Sequence, residues 1–96
     1  MLTTRLLDSE QRVTTKSSQV TVDGIAVLIV AAAPQYQEVS LHSTQTVFVG
    51  DSVVTSSTGY RLDKDLNFTF TLAPNTEAYA IGNGVTATLY TLVTVL

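Results

Sequence analysis

Past residue 18 the chain sustains no helical period. Apolar side chains instead fall at every second position, and turn residues interrupt them at intervals of about 8–12 residues. That rhythm confines the fold to a sandwich or barrel of short antiparallel strands. Its densest example is Thr46–Leu62, TVFVGDSVVTSSTGYRL. Val47 and Val49 alternate with Thr46 and Phe48, and Gly50-Asp51-Ser52 is turn chemistry. Val53-Val54-Thr55 reads as a return strand, and Ser56–Gly59 as a loop before Tyr60 and Leu62. The expected fold is all-β, a β-sandwich of about eight antiparallel strands over residues 19–96, with a small closed β-barrel as the alternative. A short N-terminal arm, residues 1–18, precedes it.

The arm is the most charged part of the chain, with Arg5, Asp8, Glu10, Arg12 and Lys16, and Leu2, Leu6 and Leu7 form its apolar cluster. Isolated helices of this length are marginal in water, so the stretch reads either as a partly ordered terminus or as an extended arm whose three leucines dock on a neighbour. After it, Val20 and Val22 alternate with polar residues, and Asp23-Gly24 is a hairpin signal. Ile25–Val30 is apolar on both faces, which fits a central strand covered on both sides. In Gln35–Ser43, Val39 and Leu41 point inward while Glu38, Ser40 and His42 point outward. Leu66, Phe68, Phe70 and Leu72 alternate cleanly and are expected to form one wall of the core. Tyr79 and Ile81 share a face of a short strand, and Gly82-Asn83-Gly84 suits a tight hairpin.

Composition narrows the function classes. The 96 residues are 45% hydrophobic and 14% charged, with mean hydropathy +0.27, so the chain must bury much of itself. A net charge of −3 without basic clusters leaves no electrostatic footprint for nucleic acid. There is no cysteine, hence no disulfide scaffold or thiolate metal site. The apolar run Ile25–Ala33 is too short to span a membrane as a helix, which needs about 20 residues. It is also too far from the start for a signal peptide, so a soluble protein is expected, with no membrane partner.

Several short motifs imitate chemistry. Gly50-Asp51-Ser52 echoes an esterase nucleophile block, but that chemistry needs a strand-to-helix elbow and a nearby histidine base. No helix follows, and His42, the lone histidine, has no evident orienting carboxylate. Asp63-x-Asp65-x-Asn67 opens like an EF-hand loop, then places Phe68 where glycine is required and Pro74 where a bidentate glutamate belongs. Gly82-x-Gly84-x-x-Ala87 lacks the helix that a dinucleotide fingerprint feeds. Asn67-Phe68-Thr69 is a glycosylation sequon in form, at the start of a strand. No catalytic residue, metal ligand or cofactor is expected, and the protein is not expected to be an enzyme.

The strand Val49-Gly50, the loop Val54–Leu62 and the hairpin Tyr79–Gly84 together resemble small virion proteins of tailed bacteriophages, in particular capsid decoration or cement-type β-proteins. The likeness covers roughly the last sixty residues. It implies a structural protein on the capsid surface, made in the host cytoplasm, that binds assembled major capsid protein and stabilises the shell. The alternative is a carbohydrate-binding or host-attachment module of a phage particle. Thr86–Leu96 adds an expectation of its own. It has Ala87, Leu89, Val93 and Val95 on one face and Tyr90, Leu92 and Leu96 on the other, more than a peripheral strand with one wet face would carry. Tyr90, Leu92 and Leu96 are therefore expected at a subunit interface, and the resemblance makes the oligomer a homotrimer.

Overall fold

Alternation decides the strands. β3, Gln37–Ser43, buries every odd-numbered residue and leaves Glu38, Ser40 and His42 outside, as strand geometry requires. The computed structural model describes residues 14–96, so Leu2, Leu6 and Leu7 lie outside the described residues. The remaining strands are β1 Thr14–Val22, β2 Val27–Val30, β4 Val47–Gly50, β5 Tyr60–Leu62, β6 Asn67–Leu72, β7 Ala78–Gly82 and β8 Ala87–Val95. The described residues contain no helix.

Two four-stranded antiparallel sheets result, β1-β8-β3-β6 and β2-β7-β4-β5, and they do not close into a barrel. The pairs β1·β8, β2·β7, β3·β6 and β4·β5 are those of one long hairpin with its tip at β4–β5, folded across itself so that β3 also meets β8 and β4 also meets β7. That strand order is a jelly roll.

The order corrects several local expectations. β1 starts at Thr14, so Thr14–Ser18 pair with β8 in unbroken register with the rest of the strand. Asp23-Gly24 and Gly82–Gly84 are not hairpin turns but crossings between sheets, pinned together by Gly82 N–H donating to the Asp23 carbonyl and Thr86 Oγ1 to the Asp23 carboxylate, both 2.6 Å. β2 is an edge strand, not a central one, with a register shift between Leu28 and Val30. β8, taken as peripheral, is an inner strand between β1 and β3. Val53–Thr55 is not a strand, and the return strand is Tyr60–Leu62.

The core lies between the sheets and centres on Val22, Val39, Leu41, Val47, Ala80 and Leu89, all essentially inaccessible. Small Ala78 and Ala80 are the inward residues of β7, which turns Tyr79 and Ile81 outward. The wall expected on β6 is partial: Leu72 is buried, Phe68 and Phe70 are half-buried, and Leu66 is exposed. Instead, Tyr60 of edge strand β5 stacks on Phe68 of edge strand β6 at 4.6 Å, and Phe68 on Phe70 at 5.2 Å, sealing one flank between the sheets. Removing either Phe ring should therefore cost less than the roughly 3–5 kcal/mol of a fully buried one.

The buried polar side chains are satisfied locally. Gln37 Nε2 donates to the Ala31 carbonyl at 3.0 Å, Ser43 Oγ to the Gln45 carbonyl at 2.6 Å, and Thr91 shares a 2.7 Å hydroxyl contact with Ser18.

Candidate functional site

A sandwich shows the world two outer sheet faces, and here they differ in chemistry. On β1-β8-β3-β6 the outward positions are hydroxyls, amides and a few charges, arranged in cross-strand rows. One row is Gln19, Tyr90, His42, Asn67, and the next is Ser17, Leu92, Ser40, Thr69. Tyr90 (43% exposed) and Leu92 (45%) are the large apolar residues in these rows. Leu96 lies beyond the end of β8, its N–H donating to the Tyr36 carbonyl at 2.9 Å. The structure thus brings Tyr90 and Leu92 together in a polar surround and sets Leu96 apart from them.

On β2-β7-β4-β5 the outward positions are mostly apolar, with Arg61 on edge strand β5 the charged exception. Leu28 pairs with Tyr79, and Phe48 lies between Ile81 and Arg61. Phe48 is only 8% exposed although it points away from the core, because the loop between β4 and β5 folds back over it. Val54, at the centre of that loop, is itself buried. A Cβ on Gly50 would meet Val54 Cγ2 at 2.8 Å, so the absence of a side chain there is what lets the loop close. Side-chain and backbone bonds hold its shape: Val53 N–H donates to Asp51 Oδ1 at 3.1 Å, Thr55 N–H to Thr58 Oγ1 at 3.0 Å and Gly59 N–H to the Thr55 carbonyl at 2.9 Å. Beside this covered pair, Leu28 is 41% exposed, and Tyr79 and Ile81 are half-buried.

The residues that imitate chemistry are dispersed or engaged elsewhere. Ser52 lies in the β4–β5 loop, at the opposite end of β4 from the connection that follows His42. His42 does face a carboxylate, with Nε2 3.8 Å from Asp65 Oδ1, while its Nδ1 is 3.0 Å from Asn67 Oδ1. Asp63 instead accepts from Arg61 Nε, so Asp63, Asp65 and Asn67 do not converge on a common point. Gly82 and Gly84 lead into a strand. Among the described residues no group of three or more carboxylates and imidazoles could hold a metal ion. Tyr79 donates to Glu77 Oε1 at 3.1 Å, and this bond, with some desolvation and the nearby negative charge, raises its phenol above the ordinary 10.0.

The sequence reading missed the face built on Leu28, Phe48, Tyr79 and Ile81. The available signal was the pairing of small Ala78 and Ala80 with large Tyr79 and Ile81 on alternate sides of one strand. No family model matches the chain, and neither a curated protein nor a solved structure matches it.

Proposed function

We propose that this protein is a structural component of a tailed-phage virion that binds the assembled capsid and reinforces it, docking through the outer face of β2-β7-β4-β5. The observation that carries this reading is the strip Leu28, Tyr79, Ile81 beside Phe48. Apolar groups left outside the core of so small a domain mark an interaction surface. The resemblance supports the same face, because Val49-Gly50, Val54–Leu62 and Tyr79–Gly84 all belong to neighbouring strands β4, β5 and β7 or to the loop that covers them. In this reading the protein acts on the outside of the shell and performs no catalysis. Its partner is the major capsid protein, with copies grouped as a trimer at three-fold lattice positions. Leu28, 41% exposed, with half-buried Tyr79 and Ile81 beside it, is the open part of this face, and Phe48 lies beneath the β4–β5 loop.

Co-sedimentation with purified capsids of the phage that encodes the protein tests this. Binding should saturate at a fixed ratio to capsid subunits and raise the temperature at which the shell ruptures, and no binding would refute the reading. The contribution of the expected arm is tested by truncation after Val13. A cut after Ser18 would strip Thr14–Ser18 from β8 and confound loss of contact with loss of fold.

A further inference from the structure

We propose that the outer face of β1-β8-β3-β6 binds neutral oligosaccharide, with one sugar ring stacked on Tyr90. The seat is a depression of about 330 Å³ lined by Ser40, His42, Asn67, Thr69, Tyr90 and Leu92. That is the small end of the range of ligand pockets, roughly 300–1,000 Å³. A pyranose has an apolar C–H face and a rim of hydroxyls, and this surface offers the complement: one aromatic ring and one aliphatic side chain inside a field of hydrogen-bonding groups. A protein partner would require a wider apolar centre than Tyr90 and Leu92 supply.

The polar groups are both fixed and unspent. His42 Nδ1 lies 3.0 Å from Asn67 Oδ1, which orients the amide and leaves both Nδ2 protons directed elsewhere. Ser40 and Thr69 share one hydrogen bond of 3.1 Å, and two hydroxyls sharing one bond keep one proton to donate. Among the described residues the Tyr90 phenol has no hydrogen-bond partner. All these groups sit on paired strands, so little ordering is needed on binding.

Two further observations set the ligand class. A second depression, lined by Ser17, Gln19 and Tyr90, adjoins Tyr90 from the β1 side, so a chain of sugars can extend across the face rather than end at the first seat. Four strands span about 14 Å at the usual spacing, enough for a short oligosaccharide. Glu38 and Asp65 lie on the same sheet face and beside His42, and the whole chain carries −3, which disfavours sulfated or sialylated sugars.

The site uses the sheet face opposite to the proposed capsid contact, so it can be tested on the free full-length protein independently of capsid binding. The test is an array of neutral and acidic glycans, followed by NMR titration with cellotetraose, mannotetraose and chitotetraose. A neutral oligosaccharide should bind more tightly than its sulfated or sialylated counterparts, with shifts confined to the Tyr90 and Leu92 rows. Tyr90→Ala should weaken it by about tenfold or more and Tyr90→Phe by much less. If Tyr90→Ala fails to fold, Thr69→Val removes a hydroxyl at nearly constant volume and should weaken binding in a folded protein. Absence of binding to every neutral glycan at millimolar concentration overturns the proposal. So does undiminished binding by the folded Tyr90→Ala or Thr69→Val variant, or a free oligomer in which Tyr90 is shielded.

Discussion

A Cβ placed on Gly59 would stand 2.6 Å from the Cβ of Phe48. Phe48 reaches that contact from the outside of its sheet, and the same hypothetical Cβ would meet Val54 Cγ2 at 2.7 Å. Gly59→Ala must therefore push either a strand or the returning loop, and it should destabilise by about 1–3 kcal/mol, the usual cost of overpacking. Gly24→Ala, with no atom near its Cβ, should stay within about 0.5 kcal/mol. Urea unfolding checks both, and the double variant Gly59→Ala/Val54→Ala should cost less than the sum of the two single changes, because Val54→Ala removes one of the two close side-chain atoms while the contact with Phe48 remains.

How far the sequence could lead is visible in the same region. The strands with strict alternation, β3 above all, were legible down to which residues face in, because period-2 burial is a local property. The connections were not. Asp23-Gly24 and Gly82–Gly84 have the same turn chemistry whether the chain stays in its sheet or crosses to the other, and only the global pairing β1·β8 and β2·β7 decides between them. The covering of Phe48 depends on two glycines, nine residues apart, that leave room for Val54, a tertiary fit with no periodic signature. On β7 alternation separates Tyr79 and Ile81 from Ala78 and Ala80 without saying which pair faces in, and it is the alanines that fill the core positions. For the candidate surfaces, exposure of Tyr90 and Leu92 followed from alternation along β8, whereas their polar surroundings came from β1, β3 and β6, which no local pattern could place beside them.

Neighbouring sides of β8 should respond very differently to truncation. Leu89 is fully buried, and Leu89→Ala should cost about 2–5 kcal/mol, transfer and cavity terms together. Leu92 faces outward, and Leu92→Ala should stay within about 0.5 kcal/mol in the free protein. Denaturant midpoints at constant m-value provide the measurement.

The phenol of Tyr79 should titrate above the ordinary 10.0 because it donates to Glu77. Since the folded phenol holds its proton more tightly than the unfolded one, the bond's contribution is complete below the unfolded value. It is lost as pH rises through the raised folded value. Glu77→Ala should bring Tyr79 back down while leaving the other tyrosines unchanged, which site-resolved NMR titration of ring-labelled tyrosine would show.

The division of labour between the two faces has a direct reporter, because the chain contains no cysteine and single cysteines can be placed at will. Ile81→Cys and Leu92→Cys put one thiol on each outer face, and maleimide labelling can be followed for the free and the capsid-bound protein. Protection of Ile81→Cys on binding, with Leu92→Cys remaining as reactive as in the free protein, is the predicted result. Unchanged reactivity at Ile81→Cys, or protection at Leu92→Cys alone, would contradict the assignment of the Phe48–Ile81 face to the capsid.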